Sequence, residues 1–214
     1  CFDRILNQNE EGVDCGGECE ACIGVPENLV VFWTRAFRLV PGHYEVGALV
    51  ENPNFFLGAS ELNYRVRLYD ANNILVAIQD GRTFLNPRER FIIFEEDIRS
   101  EGREASRATI ELGEIRWKRY ESEAPNLLVS SKAFENTPNG QAKVMLKNQS
   151  LFPITDIYIQ TALLDQTGTA IGISSTKVER IEGEASKEVF FTWREPILPE
   201  PSGLEVYFRK NLTK

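Results

Sequence analysis

The sequence is poor in the residues that carry most enzyme chemistry. It contains a single histidine, His43, and a single methionine, and all four cysteines precede residue 23. A serine or cysteine nucleophile needs a nearby base, which is most often histidine. His43 stands in a Pro-Gly-His turn that leads into a strand pattern. The G-x-S-x-G, Walker A and HExxH motifs are also absent. We therefore expect a non-enzymatic protein in which His43 is an exposed turn residue.

Positive charge and long apolar runs are scarce as well. Lysine and arginine number 24 against 32 aspartate and glutamate residues, which gives a formal net charge of −8 and a pI near 4.9. An acidic surface repels nucleic acid and anionic membranes, so we expect neither as a partner. No run of about 18 apolar residues is present, so we predict no transmembrane span.

The cysteines Cys1, Cys15, Cys19 and Cys22 form one cluster. An even number in a short segment indicates two disulfides in an oxidising compartment, with three possible pairings. The alternative is a four-thiolate zinc site, for which Cys19-x-x-Cys22 has a usable spacing but Cys1 and Cys15 provide no second C-x-x-C. Because the chain begins at Cys1, we expect either a processed N-terminus or a lipidated Cys1.

Side-chain oxygens crowd the same segment. They belong to Asp3, Asn7, Asn9, Glu10 and Asp14. Hard oxygen ligands in a short, glycine-containing loop are what calcium prefers, although the EF-hand spacing is missing. The alternative is a solvated polar loop whose Asn and Asp side chains satisfy its own turns. A segment this short buries too little apolar surface to fold alone, so disulfides or a metal are expected to hold it.

The first 22 residues, CFDRILNQNEEGVDCGGECEAC, resemble the C-x-D-G-x-x-N-x-x-E-x-G-V-D-C-G-G-x-C-x-x-C segment of many bacterial cell-surface and secreted proteins. The matching residues are Cys1, Asp3, Asn7, Glu10, Gly12, Val13, Asp14, Cys15, Gly16, Gly17, Cys19 and Cys22. Arg4 departs from the usual glycine, where a side chain could alter the turn. The resemblance implies an exported protein with paired cysteines, and it makes a lipidated Cys1 less expected.

Beyond this segment, apolar and polar residues alternate in two similar halves. In the first half the alternating apolar residues are Tyr44, Val46, Ala48, Val50, Leu62, Tyr64, Val66 and Leu68. Such period-two runs predict half-buried strands. Asn52 follows the first run and Asp70 the second, and Asn148 and Asp165 hold the same places about 95 residues later. The shared order of features indicates an internal duplication.

The later part of the repeat is less regular. We pair the closing strand patterns at 115–119 and 206–210, whereas the similar segments EGREAS (101–106) and EGEAS (182–186) fit a different offset. Each half then contains about seven short strands, with turn signals every 8–12 residues or so. This pattern predicts an all-β fold of two tandem immunoglobulin-like β-sandwiches.

The predicted domains are a cysteine-rich segment at 1–26, with calcium as its candidate ligand, a first sandwich at 27–121 and a second at 126–214. A polar linker that contains Pro125 separates the two sandwiches. Neither sandwich contains cysteine, so their cores must depend on the packing of Phe, Ile, Val and Trp.

A second resemblance lies in VENPN and YRVRLYDANN, which are similar to segments of the FxLYD family of small immunoglobulin-like sandwiches in bacterial surface proteins. The matching residues are Val50, Asn52, Val66, Leu68, Tyr69 and Asp70. In the second half, Leu164 replaces the tyrosine that precedes the aspartate. The resemblance implies an extracellular β-sandwich module with no established chemistry.

Five further residues are candidates for function. Trp33, Trp117 and Trp193 could line a sugar-binding face, although tryptophans in strands more often belong to the core. Asp70 and Asp165 each follow a strand and precede a turn, where an aspartate typically caps the turn through its side chain.

Together these features predict a non-enzymatic, exported cell-surface protein, namely a stalk, an adhesion protein or a surface-assembly (filament) subunit. Its sandwich edge strands would pair with protein partners or with neighbouring copies. Membrane contact is expected only through a segment before Cys1 or a lipid on Cys1. The alternative is a carbohydrate- or protein-binding accessory module with exposed tryptophans. Apart from calcium, we expect no cofactor.

Overall fold

The structure, a computed structural model, describes residues 1–7, 9–10, 13–19, 22, 24–100, 102–121 and 124–214. These residues form strands and no helix, so the predicted all-β fold is confirmed. In particular, they include no helix with the length and apolar character needed to cross a membrane. The strands are β1 (Val30–Val40), β2 (His43–Glu51), β3 (Leu57–Tyr69), β4 (Leu75–Leu85), β5 (Arg90–Arg99), β6 (Arg107–Leu112), β7 (Lys118–Arg119), β8 (Leu127–Glu135), β9 (Gln141–Asn148), β10 (Ile154–Leu164), β11 (Ala170–Ile181), β12 (Ser186–Thr192) and β13 (Gly203–Lys210).

The strands form two antiparallel sandwiches with the same strand order. The first places sheet β1-β2-β5 against β4-β3-β6, and the second places β8-β9-β12 against β11-β10-β13. Strands β1–β6 thus correspond one by one to β8–β13, while the two-residue β7 adds to β3. The duplication holds at the level of topology, with six main strands per sandwich where the sequence suggested seven.

Part of the predicted correspondence is wrong. Because the counterpart of β13 is β6, the pattern at 206–210 does not match the one at 115–119. The similar segments EGREAS and EGEAS also differ in place, since the first joins β5 to β6 and the second joins β11 to β12. The domain bounds stay a prediction, and residues 122 and 123 of the linker lie outside the described residues.

Each sandwich has its own apolar core, built by the alternation seen in the sequence. The core of the first consists of Tyr44, Val46, Ala48, Val50, Ala59, Leu62, Tyr64, Val66, Leu68, Leu85, Phe91, Ile93, Ile98 and Ala108. The core of the second consists of Leu127, Ala142, Val144, Leu146, Ile154, Ile157, Ile159, Leu163, Val178, Ile181, Val189, Phe191 and Leu204. Full burial of a Val, Leu, Ile or Phe side chain contributes about 1.5–3 kcal/mol.

A third core lies between the two sandwiches. Leu49 and Ile92, on the outer face of sheet β1-β2-β5, pack against Ala162 and Ile173 of the second sandwich. The Gln160 side chain crosses the same interface. Its Oε1 accepts the Ile92 N–H at 3.0 Å, and its Nε2 donates to the Ile92 carbonyl at 2.6 Å. Strands β2, β5 and β10 are therefore covered on both faces. The four sheets therefore stack as four layers, with sheet β1-β2-β5 facing sheet β11-β10-β13.

Gly47 permits the close approach of these layers. A Cβ atom at this position would lie 2.8 Å from Ile173 Cδ1 and 3.1 Å from the Trp33 ring. Those distances are too short for van der Waals contact, so a side chain at residue 47 would push the sandwiches apart.

An ion pair is buried beside the third core. Arg209 of β13 contacts Glu89 through Nε–Oε1 at 3.2 Å and Nη2–Oε2 at 3.0 Å, and their side chains are only 5% and 8% exposed. The guanidinium lies between the Phe84 and Phe91 rings, at 3.9 and 3.8 Å. Asn86 also donates to Glu89 Oε1 at 2.9 Å. Burial raises the pKa of Glu89, and the positive charge of Arg209 offsets part of this shift. Burial also lowers the pKa of Arg209.

The duplicated asparagines, Asn52 and Asn148, are both fully buried at the end of the second strand of each sandwich. The Asn52 amide donates to the carbonyls of Leu57 and Asn86 at 2.7 and 2.8 Å. The Asn148 amide donates to three carbonyls in corresponding places, at 2.8, 3.0 and 3.3 Å. Each asparagine therefore fastens the start of the third strand to the end of the fourth.

The duplicated aspartates, Asp70 and Asp165, cap turns. In each, one carboxylate oxygen accepts the backbone N–H groups two and four residues later, at 2.8–3.0 Å. The pKa of Asp70 is lowered chiefly by the Ile74 N–H, and that of Asp165 chiefly by the hydrogen bond from Thr167. This geometry is the structural role predicted from the sequence.

Candidate interaction site

The N-terminal cysteines form two disulfides, as predicted. Cys1 bonds to Cys19 and Cys15 bonds to Cys22, which selects one of the three pairings left open by the sequence. Among the described residues no cysteine is free, so the four-thiolate zinc alternative is wrong. The disulfide through Cys1 also leaves no sulfur on that residue for a thioether-linked lipid.

The candidate calcium ligands serve the turns of their own segment. Both Asp14 carboxylate oxygens accept the Arg4 N–H, at 3.0 and 3.1 Å. Asp3 accepts the Asn7 side-chain amide at 2.8 Å, and Glu10 accepts the Asn7 N–H at 3.2 Å. These contacts match the polar-loop alternative.

The remaining candidate, Asn9, has a φ of 65°, and its carbonyl lies 2.5 Å from where a Cβ atom on Gly17 would stand. Within the part of the chain that the structure describes, no three Asp, Glu, His or Cys residues are grouped as a metal would need. Glu11, Gly12 and Glu20 lie outside that part. Calcium binding stays a prediction.

Arg4 occupies the position where the resembling segments have glycine. Its φ is 61°, in the left-handed region that glycine adopts at little cost. The backbone turn expected for glycine is therefore present with an arginine in it, and the Arg4 N–H is the donor that reaches Asp14.

The three tryptophans do not share one face, although Trp33 and Trp193 both line the groove described below. Trp33 lies at the third core, Trp117 against the first core and Trp193 against the second. His43 begins β2, as expected, and its Nδ1 contacts the Asp97 carboxylate, which lowers the pKa of Asp97.

The candidate interaction site is a groove of about 720 Å³ where the two sandwiches meet. Residues 33–39 of β1 line it along its length, and residues 170–173 of β11 line the opposite side. Trp193, Ile197 and Leu198 add an apolar wall. Trp193 Nε1 donates to the Ile173 carbonyl at 2.9 Å, so this backbone acceptor of β11 already has a partner. We call this space the β1 groove.

The edge of β1 that faces the groove is unpaired, because β1 is the end strand of its sheet and bonds only to β2. Asn52, which continues β2, donates its N–H to the Glu89 carbonyl on the β5 side. Even-numbered residues of β2 therefore bond to β5 and odd-numbered ones to β1, since neighbouring residues of a strand point to opposite edges. By the β1–β2 register, the N–H and C=O groups of Thr34, Ala36 and Arg38 point into the groove.

The corresponding edge of the second sandwich, that of β8, borders a smaller space of about 360 Å³, lined by residues 132–134 and 201–204. Its end strand, β8, is approached by the connection from β12 to β13. Lys132 Nζ bonds the Leu204 carbonyl, and the Asn136 side chain bonds both the N–H and the carbonyl of Ile197 at 2.8 and 2.9 Å. The two corresponding edges therefore differ in the size of the space beside them and in these side-chain contacts.

Three arginines and one carboxylate give the groove its charge. Arg35, Arg38 and Arg107 line it, and Glu45 is the acidic residue among the described lining residues. Arg38 pairs with Glu104 at 3.0 Å, and both side chains are largely exposed. The Arg35 charge makes a minor contribution to the lowered pKa of Asp165. The lining residues thus include more arginines than carboxylates, in a chain whose net charge is −8.

Glu45 is expected to make the stability depend on pH. Burial raises its pKa to about 7, the Glu96 carboxylate adds to the shift and Arg194 opposes it. The folded protein then binds more protons than the unfolded chain between pH 4.5 and about 7, so stability falls as pH rises through that window. We expect Glu45→Gln to remove this fall and to stabilise the protein by about 1 kcal/mol at pH near 8, a value reduced for solvent screening.

Urea denaturation at pH near 5 and near 8 measures the Glu45 effect. Glu61→Gln, at an exposed residue of β3, is the control and should keep the wild-type pH slope. A Glu45→Gln protein that also keeps the wild-type slope would contradict the assignment.

Sequence reasoning missed the groove and the Arg209–Glu89 pair. The alternation in 33–39 predicts a strand but not which edge stays unpaired, because that depends on the sheet order. Glu89 stands in a Pro-Arg-Glu-Arg stretch that is typical of a solvated loop. One signal was present, since Arg209 follows Tyr207 and Glu205 on the same face of a strand whose other face is apolar.

Comparisons with known proteins add little beyond the fold. No protein-family model matches the chain, and no curated protein is significantly similar to it. The resemblances to the cysteine segment and to the FxLYD family are therefore not confirmed. Among solved structures the chain is similar to the crystal structure of red sea bream transglutaminase, with 13% identity and a TM-score of 0.24. The alignment covers 85% of this chain and 29% of that one, and a likeness this low implies nothing about activity.

Proposed function

We propose that the chain is a non-enzymatic, exported cell-surface protein that acts in adhesion or surface assembly by binding a protein segment at the β1 groove. The observation that carries this proposal is the unpaired edge of β1, which lies inside a groove rather than on an open surface. An unpaired strand edge is a ready template for pairing with another chain.

The disulfides support the exported part of the proposal. Paired cysteines persist in oxidising compartments and are rare in the cytosol. The resemblance of the first 22 residues to segments of secreted proteins points the same way. Calcium at this segment remains part of the proposal, with Asp3, Asn7, Asn9, Glu10 and Asp14 as its candidate ligands.

The packing of the two sandwiches favours an interaction or assembly role over a stalk. Two sandwiches that meet through their broad faces add little length, whereas the third core and the Arg209–Glu89 pair hold the two walls of the groove in place. The carbohydrate-binding alternative is weaker, because Trp117 packs against the first core, apart from the groove that Trp33 and Trp193 line.

Photo-crosslinking on intact cells tests the proposal. A benzophenone amino acid placed at position 35, in the groove, should give a discrete adduct that a membrane-impermeant reagent can label. The same amino acid at position 78, which is exposed on β4, is the matched control and should give none. Equal adducts at both positions, or no adduct and no surface labelling, would refute the proposal.

A further inference from the structure

We infer that the β1 groove accepts an extended, acidic peptide segment, which adds as a fourth strand to sheet β1-β2-β5. This inference rests on the proposed function and specifies the partner. It depends on three features of the groove, namely its unpaired backbone groups, its two walls and its charge.

The backbone groups offer a complete ladder for one added strand. The N–H and C=O groups of Thr34, Ala36 and Arg38 recur at every second residue, which is the spacing that an added strand bonds. Such a strand would lie about 4.8 Å from β1. The groove along this edge has a volume of about 720 Å³.

The walls determine which side chains the added strand would carry. Trp193, Ile197 and Leu198 present an apolar wall on the side of the second sandwich. On the side of the first sandwich the groove is lined by Arg107 of β6, and Arg38 belongs to β1 itself. Since side chains alternate along a strand, apolar residues on one face and acidic residues on the other would fit both walls.

The charge also argues against one competing occupant. A second copy that paired its own β1 with this β1 would add its own Arg35 and Arg38 to a groove that Arg35, Arg38 and Arg107 already line. Like charges on neighbouring strands are destabilising. The excess of arginine in the groove of an otherwise acidic chain therefore favours an acidic strand of a different protein.

A peptide titration followed by NMR tests the inference on the full chain. The probes are three capped octapeptides, one that alternates valine and glutamate, one that alternates valine and lysine, and a glutamate peptide with alternate N-methyl groups. We expect the unmodified glutamate peptide to shift the amide signals of Thr34, Ala36 and Arg38. We also expect it to bind at least about tenfold more tightly than the other two.

A proline variant adds a test of the pairing mode. In Ala36→Pro the lost N–H points into the groove and not toward β2, so the ladder within the sheet is kept. The control is Ile78→Pro on β4, another end strand, where the N–H also points away from its neighbour. We expect Ala36→Pro alone to weaken binding of the glutamate peptide by at least about tenfold.

The outcomes separate this inference from the proposed function. Equal binding of the glutamate and lysine peptides, unaffected binding of the N-methylated peptide, or no binding at all would overturn the acidic-strand inference. If photo-crosslinking at position 35 still gave a discrete surface adduct, the proposed function would stand with a different kind of partner. Failure of both experiments would remove both proposals.

Discussion

Replacing Arg209 with methionine is expected to lower the free energy of unfolding by about 3–5 kcal/mol. The change leaves the Glu89 carboxylate buried between the sandwiches without its cation, and it removes the guanidinium from between Phe84 and Phe91. Desolvated, unpaired charge is the reason that the loss is large. Urea denaturation followed by tryptophan fluorescence measures the effect, and Trp33 at the interface makes the signal sensitive to separation of the sandwiches.

Two further variants make the Arg209 prediction specific. Arg180 pairs with Glu182 at 2.5 Å on the surface, where ion pairs contribute little, so Arg180→Met should cost much less stability than Arg209→Met. In the double variant Arg209→Met/Glu89→Gln the buried charge is also removed, and we expect part of the lost stability to return. A loss in Arg209→Met as small as that in Arg180→Met would show that the pair does not lock the interface.

The substitution Asn148→Asp is expected to lower the free energy of unfolding by at least about 2 kcal/mol. The Asn148 side-chain nitrogen donates to the carbonyls of Phe152, Ile181 and Glu182. An aspartate of the same shape would place a negative oxygen against these three acceptors. Because the carboxylate loses its charge when protonated, the loss should shrink as the pH falls toward about 4.

The internal duplication provides a built-in replicate of this experiment. Asn52→Asp should cause a loss of the same order, and the two losses should add, because the asparagines lie in different sandwiches. Asn72→Asp, at an exposed turn residue, is the control and should change stability by less than about 0.5 kcal/mol. If Asn148→Asp lost as little stability as Asn72→Asp, the buried asparagines would not be needed to join the third strand to the fourth.

Local patterns in the sequence predicted the parts of the fold that local physics determines. The alternation at Tyr44–Val50 and Leu62–Leu68 gave β2 and β3, because a strand with one buried face shows a period of two. The number and spacing of the cysteines likewise predicted disulfides. Their pairing could not be predicted, since all three pairings are compatible with so short a segment.

The contacts between the sandwiches could not be predicted from local patterns. The apolar run Phe91–Ile92–Ile93–Phe94 indicates a strand, but whether its second face is covered depends on where the other sandwich lies. The ion pair of Arg209 could not be predicted either, because its partner Glu89 is 120 residues away in the sequence. The β1 groove exists only because β1 and β11 end neighbouring sheets, which is a property of the assembled fold.

The third core constrains the order in which the protein can mature. Until strands β10, β11 and β13 are in place, the first sandwich would present Leu49 and Ile92 to water, and Glu89 would lack its partner Arg209. Exposed apolar faces of this kind are sites of misassembly. We therefore expect the two halves to be stable only together, and a first sandwich released alone by a protease to aggregate.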